Sequence, residues 1–317
     1  MAKKLVSTRD ISREEWLEWR RTGIGGSDAA AVIGLNPYRS TIELYADKMG
    51  MMPEKEDNEA MRLGRDLEQY VADRFSEETG KKVRRNNFMW CHDEHRHMIA
   101  DVDREIVGEN AGLECKTTQA WGGKVVMKGE IPLTYYTQCM HYMAVMGYDR
   151  MYLAVLIFGK GFYWFTIERD EDEIAALIAA EASFWRDHIE SGISPAPDGS
   201  VSAEAAVEAM WGKRYEESQI MLHEYEDDMR ELMELNATMK QIKKQADTVK
   251  QRLQSAMGES CVGCSLRYQI TWAPQERSTV DTKKLYQMYP EAYRECLKTS
   301  TTRIFKIKEN EQDDYCD

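Results

Sequence analysis

The segment from Met98 to Thr118, MIADVDREIVGENAGLECKTT, constrains the fold more than any other part of this 317-residue chain. An apolar run ends in aspartates, Gly108-Glu109-Asn110 makes a turn, and Gly112-Leu113-Glu114-Cys115-Lys116 reads as the returning strand. Strand alternation puts Asp101 and Asp103 on one face, and likewise Glu114 and Lys116. A hairpin symmetric about Glu109 and Asn110 sets Asp103 opposite Lys116 and diagonal to Glu114. Two carboxylates and an amine then converge. Hard oxygen ligands suit Mg²⁺ or Mn²⁺, and a lysine beside the metal can hold or deprotonate a water. This is equipment for cutting phosphodiesters. On an ordinary hairpin the same residues make a solvated surface pair worth at most about 1 kcal/mol, so the neighbouring sequence decides. Asp101 competes with Asp103 for the first position, although it pairs nearer Thr118 and further from Glu114.

Three other blocks accompany the hairpin. Trp19-Arg20-Arg21-Thr22-Gly23-Ile24-Gly25-Gly26-Ser27-Asp28 is a glycine-rich turn running into a helix capped by Ser27 or Asp28. Backbone amides, a helix N-terminus and two arginines make an anion site there, though such glycines also serve plain tight turns. Met61 to Val71, MRLGRDLEQYV, has helical periodicity at Leu63, Leu67, Tyr70 and Val71. Pro132 to Tyr142, PLTYYTQCMHY, reads as a second helix. Standing alone, its Gln138 and Tyr142 are ordinary helix positions.

Taken in order from about residue 9 to 190, these blocks resemble the YqaJ-type viral recombinase family, relatives of the lambda-type exonuclease within the PD-(D/E)xK nuclease superfamily. Asp103, Glu114 and Lys116 stand in the motif positions, with Val102 where the motif's name has proline. The resemblance implies an α/β fold: a PD-(D/E)xK core with a mixed central sheet flanked by helices. It implies metal binding by Asp103, Glu114 and the Cys115 carbonyl with Glu68 assisting, and an attacking water oriented by Lys116. Gln138 sits beside that site, with His141 and Tyr142 following it. Arg21 and Ser27 would hold the DNA 5′ phosphate, with Arg20 a competitor for the arginine's role. The implied activity is Mg²⁺- or Mn²⁺-dependent 5′-to-3′ degradation of linear double-stranded DNA, leaving 3′ single strands for phage-type recombination. The implied partners are DNA ends, a single-strand annealing protein and further copies of the chain in a trimeric ring. A structure-selective or site-specific endonuclease on the same core is the rival enzyme. A nonhydrolytic DNA-end-binding scaffold is the rival outside enzymology, but it gains nothing from carboxylates clustered near phosphate.

Composition narrows the class. No run of 18 apolar residues occurs and MAKKLVSTRD lacks an apolar signal region, so a soluble protein of a bacterial host's cytoplasm, phage or prophage encoded, is expected. Seven scattered cysteines do not form a disulfide framework, and Cys261-x-x-Cys264 lacks the second pair a zinc site needs. An iron–sulfur nuclease would need four suitably placed cysteines. Cys91, His92, His95 and His97 read as an exposed turn before the first catalytic strand. The net charge of −13 is unusual for a DNA binder, so basic clusters at 81–85 and at Lys124 and Lys128 must line any DNA path.

The chain divides by composition at Ser194-Pro195-Ala196-Pro197-Asp198-Gly199, giving a nuclease domain over 1–198 and an extension over 199–317. The first domain reads as two helices within 10–50, a helix over 60–79 and strands near 83–90, 97–107 and 112–118. A helix over 132–147, strands over 150–158 and 161–168 and a helix over 170–190 complete it. The extension reads as helix over 202–257, then a strand over 265–272, a helix from 281 to 296 and a strand over 302–308. Tyr225, Met229, Leu232, Leu235, Met239, Ile242, Ala246, Val249 and Leu253 recur at gaps of three and four, a coiled-coil-like stripe. Acidic residues crowd 224–234 and basic ones 240–252. The stripe either packs on the tail or mediates assembly. The extension also resembles that of many YqaJ-type proteins, including Arg277-Ser278-x-x-Asp281.

Overall fold

The computed structural model describes residues 2–54, 57–120, 122–213, 215–299 and 302–309. It opens with β1 (Lys3–Ser7), α1 (Arg13–Arg21), β2 (Ile24–Gly25), α2 (Gly26–Val32), α3 (Thr41–Lys48) and α4 (Glu59–Thr79). Five strands follow: β3 (Val83–Arg85), β4 (Phe88–Cys91), β5 (Met98–Ala100), β6 (Arg104–Ile106) and β7 (Ala111–Thr118). Then come α5 (Lys124–Met127), α6 (Leu133–Met146), β8 (Arg150–Ile157), β9 (Gly161–Glu168), α7 (Glu171–Phe184) and α8 (Val201–Trp211). A π-helical turn, Trp185–Glu190, extends α7.

The strands form two sheets, ordered β1-β4-β5-β2 and β3-β6-β7-β8-β9. Residues expected as one strand over 97–107 are therefore two strands in two sheets, with Asp101, Val102 and Asp103 at the corner between them. The predicted strand over 83–90 divides in the same way, because Asn86 and Asn87 interrupt it. The larger sheet is mixed: β7 runs parallel to β8, and β6 and β9 run antiparallel to their neighbours. Parallel pairing requires a crossover, and α6 supplies it.

Both faces of that sheet are covered. Met143 of α6 packs with Met98, Leu153 and Val155 on one face; Val71 and Phe75 of α4 pack with Leu113, Tyr152 and Ala154 on the other. Phe75 is fully buried, so truncating it to alanine costs about 3–5 kcal/mol. The register of the central hairpin differs from expectation. Arg104 pairs with Leu113 and Glu105 with Gly112, so the hairpin is centred between Gly108 and Glu109, one position earlier than predicted. Gly108 makes the turn with φ 89°, a conformation that favours glycine. Because the centre moves by one, pairings move by two and every side chain keeps its face.

The compact units are Met1–Arg214 and Tyr215–Asp317. The expected boundary at 198 falls too early, because α8 belongs to the first unit. Its Ala203, Ala206 and Met210 are buried with Ile42, Leu44 and Phe184, and Ser202 accepts the Ser40 backbone N–H at 2.9 Å. The second unit contains α9 (Glu226–Met257), the hairpin β10 (Val262–Cys264) and β11 (Gln269–Thr271), α10 (Thr282–Met288) and α11 (Pro290–Glu295). The helix expected over 202–257 is thus two helices, and the described residues between them are helical only at His223–Tyr225. Among the described residues of 302–309 there is no strand.

Candidate active site

The corner after β5 and the end of β7 bring the predicted residues together. Asp103 Oδ2 accepts the Cys115 backbone N–H at 2.8 Å, fixing this carboxylate against the edge of β7. Glu114, buried on the same strand, takes the Lys116 ammonium at 2.7 Å and the Gln138 amide at 2.8 Å on one oxygen. The Gln138 carbonyl accepts from Lys116 Nζ at 2.9 Å, so one glutamine on α6 braces both catalytic-strand side chains. One turn on, Tyr142 hydroxyl accepts from Gln138 at 3.1 Å and donates to the Asp101 carbonyl at 3.0 Å. The i, i+4 spacing of Gln138 and Tyr142 is what lets one helix face reach both. Asp101 is engaged elsewhere: its side chain accepts the Trp16 indole N–H at 2.8 Å.

Burial raises the Asp103 carboxyl well above the usual range, and the negative charges of Glu114 and Glu68 push it further. Burial also raises Glu114, opposed by the Lys116 charge and hydrogen bond. Lys116 loses solvation, yet Glu114 and Asp103 outweigh that loss and hold its ammonium above the ordinary lysine value. Lys116 is therefore a donor, suited to hold a water rather than to deprotonate it. Burial holds the Cys115 thiol protonated, so a hard cation here would take the residue's carbonyl oxygen rather than its sulfur.

These residues fit a hard divalent cation in one respect. The second oxygen of Glu114 is buried with no hydrogen-bond partner among the described residues, a vacancy in bonding that a cation next to Asp103 would satisfy. As they stand, no three His, Cys, Asp or Glu side chains among the described residues gather closely enough to ligate one ion. Glu68 is engaged elsewhere. Its carboxylate is taken by the guanidinium of Arg104, with Arg85 at 3.5 Å. Arg104 is itself only 2% exposed and also bonds the Asp103 carbonyl at 2.7 Å and Gln69 at 3.1 Å. Sequence reading missed Arg104. Its strand position between Asp103 and Ile106 was visible, but its burial needed α4 to be packed above it.

The glycine-rich turn forms a second cluster. Helix α2 starts at Gly26, earlier than expected, and the Asp28 carboxylate reaches back to the Gly25 N–H at 3.0 Å. Arg20, rather than Arg21, meets Ser27: its guanidinium donates to the Ser27 hydroxyl at 3.0 Å and to Asp28 at 3.1 Å. Arg39 and Lys48 complete the ring around fully buried Asp28 at 2.6 and 2.7 Å. Burial alone would raise Asp28; Lys48, Arg20 and Arg39 hold it well below the carboxylate range. Arg39 also pairs with Asp47 and lies 4.0 Å from Glu43, so the cations of this cluster are balanced by carboxylates, with Arg20 the one that reaches exposed Ser27. Gly26 is needed for space, since a Cβ there would lie 2.5 Å from the Tyr142 ring.

A family model described as the YqaJ-like viral recombinase domain matches residues 15–149, which span α1 to the end of α6 and hold every residue of both clusters. The Bacillus subtilis (strain 168) uncharacterized protein YqaJ is 38% identical over 316 residues, covering 97% of this chain and 98% of its own. The chain belongs to the YqaJ-like viral recombinase family. Among solved structures, the alkaline exonuclease LHK-Exo from Laribacter hongkongensis aligns with TM-score 0.49 and 22% identity, over 56% of this chain and 93% of its own. A phage-related exonuclease from Haemophilus somnus 129PT aligns with TM-score 0.44 and 12% identity, over 56% of this chain and all of its own. In this YqaJ-family chain, Asp103, Glu114 and Lys116 are brought together at β7 of a mixed α/β core. His141, which follows Gln138, instead forms a buried core pair with Glu181 at 2.8 Å and the Ile99 carbonyl at 2.8 Å. His92 packs tilted against His95, His95 meets His97 edge-on, and His97 stacks on Trp185. No helix among the described residues is long and apolar enough to cross a membrane.

Proposed function

We propose that this protein is a metal-dependent deoxyribonuclease that degrades linear double-stranded DNA from the 5′ end. Its product would be a 3′ single strand for phage-type recombination in a host cell's cytoplasm. The observation that carries the reading is the Asp103–Glu114–Lys116–Gln138 cluster, with its unpartnered Glu114 oxygen. Asp103, Glu114 and the Cys115 carbonyl would hold Mg²⁺ or Mn²⁺, with Glu68 joining when released from Arg104. Bound there, the ion supplies Lewis-acid stabilisation of charge developing on the phosphate. Lys116, held charged by Glu114 and braced by Gln138, donates to the attacking water and orients it in line with the scissile bond. Arg20 and Ser27 would bind the terminal 5′ phosphate; Arg21 has no such contact with Ser27.

Exonuclease polarity, a trimeric ring around the duplex and work beside a single-strand annealing protein complete the proposal, on family grounds. A ring is compatible with a net charge of −13, since only its inner face must be positive. Incubation with Mg²⁺ and linear, nicked or circular duplex, one strand 5′-labelled, tests the reading. The expected result is rapid release of the 5′ label from linear duplex alone. Cleavage of covalently closed circles supports the endonuclease instead, and binding without cleavage the scaffold.

A further inference from the structure

Helix α9, 32 residues long, has no buried residue, although its sequence carries an apolar ladder along one face. Leu235, Met239, Ile242, Val249 and Leu253 of that ladder are 46–61% exposed. With Leu232, Met239, Ala246 and Leu253 at the a positions, Leu235, Ile242 and Val249 fall at d, an unbroken 3–4 spacing. An apolar face of this regularity on a solvated helix is built to be covered by another helix.

The charges specify which helix. The first half of α9 carries Glu226, Asp227, Asp228, Glu231 and Glu234 against Arg230 and Lys240, whereas the second half carries Lys243, Lys244, Lys250 and Arg252 against Asp247, so the halves remain net acidic and net basic. A parallel neighbour of the same sequence would set acid beside acid and base beside base. An antiparallel copy sets each acidic half against a basic half. The ladder accepts this arrangement without a slip. With the twofold axis between Lys240 and Gln241, Leu232 meets Val249 of the second copy, Leu235 meets its Ala246, and Met239 meets its Ile242. In this register Leu232, Met239 and Ala246 at a face apolar d positions, Leu253 at the end of the ladder faces Asp228, and Glu231 at a flanking g position faces Arg252 of the second copy. One helix thus presents both surfaces that its pairing needs.

We propose that α9 is a self-association surface whose occupant is α9 of a second copy, packed antiparallel in this register. The inference is independent of the nuclease reading. It links two chains, or two assemblies of chains, through their second units.

Two measurements on the full-length chain test it. The first is oxidation at micromolar concentration of the Leu232→Cys/Val249→Cys double variant, followed by peptide mapping. The expected product is an interchain disulfide joining position 232 of one chain to 249 of another. Within one helix those positions lie about 25 Å apart, far beyond disulfide reach, so no intrachain bond can imitate it. Links of 232 to 232, or no link at either position, overturn the proposal. The second is light scattering, in which Ile242→Glu should halve the particle mass of the wild-type protein. Glu231→Arg should weaken association about tenfold by placing like charges opposite each other twice. Glu231→Arg/Arg252→Glu should restore it. An unchanged mass in Ile242→Glu, as expected if α9 is covered by its own chain, overturns the proposal equally.

Discussion

Within the candidate site, two aspartates two residues apart have different partners, and their variants should separate cleanly. Asp103 accepts from the Cys115 N–H and lies beside Glu114, whereas the Asp101 side chain is occupied by Trp16. Asp103→Asn should lower Mg²⁺-dependent cleavage on the order of a thousandfold or more, while Asp101→Asn should leave most of it, as initial rates on 5′-labelled linear duplex will show. The reverse order would move the site to Asp101. The arginines separate by the same logic. Arg20→Met should lower the preference for 5′-phosphorylated over 5′-hydroxyl ends by about tenfold or more, because Arg20 is the guanidinium on Ser27. Arg21→Met should change that ratio by less than about twofold. An equal effect of the two variants would detach phosphate recognition from the Ser27 cluster.

At the level of elements, the segment leading into β5 carries a titration that can be measured. Burial, and then the nearby charges of His95, His141 and His92, lower His97 from 6.5 to about 4. Its Nε2 is buried without a hydrogen-bond partner among the described residues, and its ring stacks on Trp185 at 5.7 Å. Since the unfolded chain binds this proton more readily, stability falls as pH drops below 6.5 and the loss is complete below about 4. The full shift corresponds to about 3 kcal/mol, which the ring's partial exposure reduces to about 1–2 kcal/mol. Thermal melting at pH 7 and pH 5 should therefore show a smaller acid-induced drop in His97→Gln than in wild type. An identical drop would contradict the assignment.

Elements with strong local patterns, α4, α6, β8 and β9, were legible in the sequence to within a residue or so. Period-2 alternation says which side chains share a face, but not which sheet a strand joins. That is why 97–107 read as one strand and β1, pairing with the distant β4, was not seen. The hairpin's faces were right and its register was off by two, because a turn of Gly108, Glu109 and Asn110 admits either centre. The convergence of Asp103, Glu114 and Lys116 was legible because all three lie on one hairpin, whereas Gln138 came only from the family resemblance, its helix alone marking it as an ordinary position. Arg104 and the Asp28–Arg39–Lys48 cluster depend on contacts between elements far apart in sequence, and no local pattern announces them.

Over the whole molecule, the residues of the proposed site all lie within the unit Met1–Arg214, separate from the second unit, Tyr215–Asp317. Under the proposed function, the net charge of −13 places the burden of DNA binding on local cation clusters and on a divalent ion held at the site, so cleavage should depend strictly on that ion. The central claim is that Asp103, Glu114 and Lys116 form one hydrolytic site. The most direct test compares wild type with Glu114→Ala on 5′-labelled linear duplex, with Mg²⁺ and with excess chelator, while circular dichroism monitors the fold. The account predicts cleavage by wild type only with Mg²⁺, and a loss on the order of a thousandfold or more in a folded Glu114→Ala protein. Full activity of Glu114→Ala in Mg²⁺, or undiminished wild-type cleavage in chelator, would contradict it.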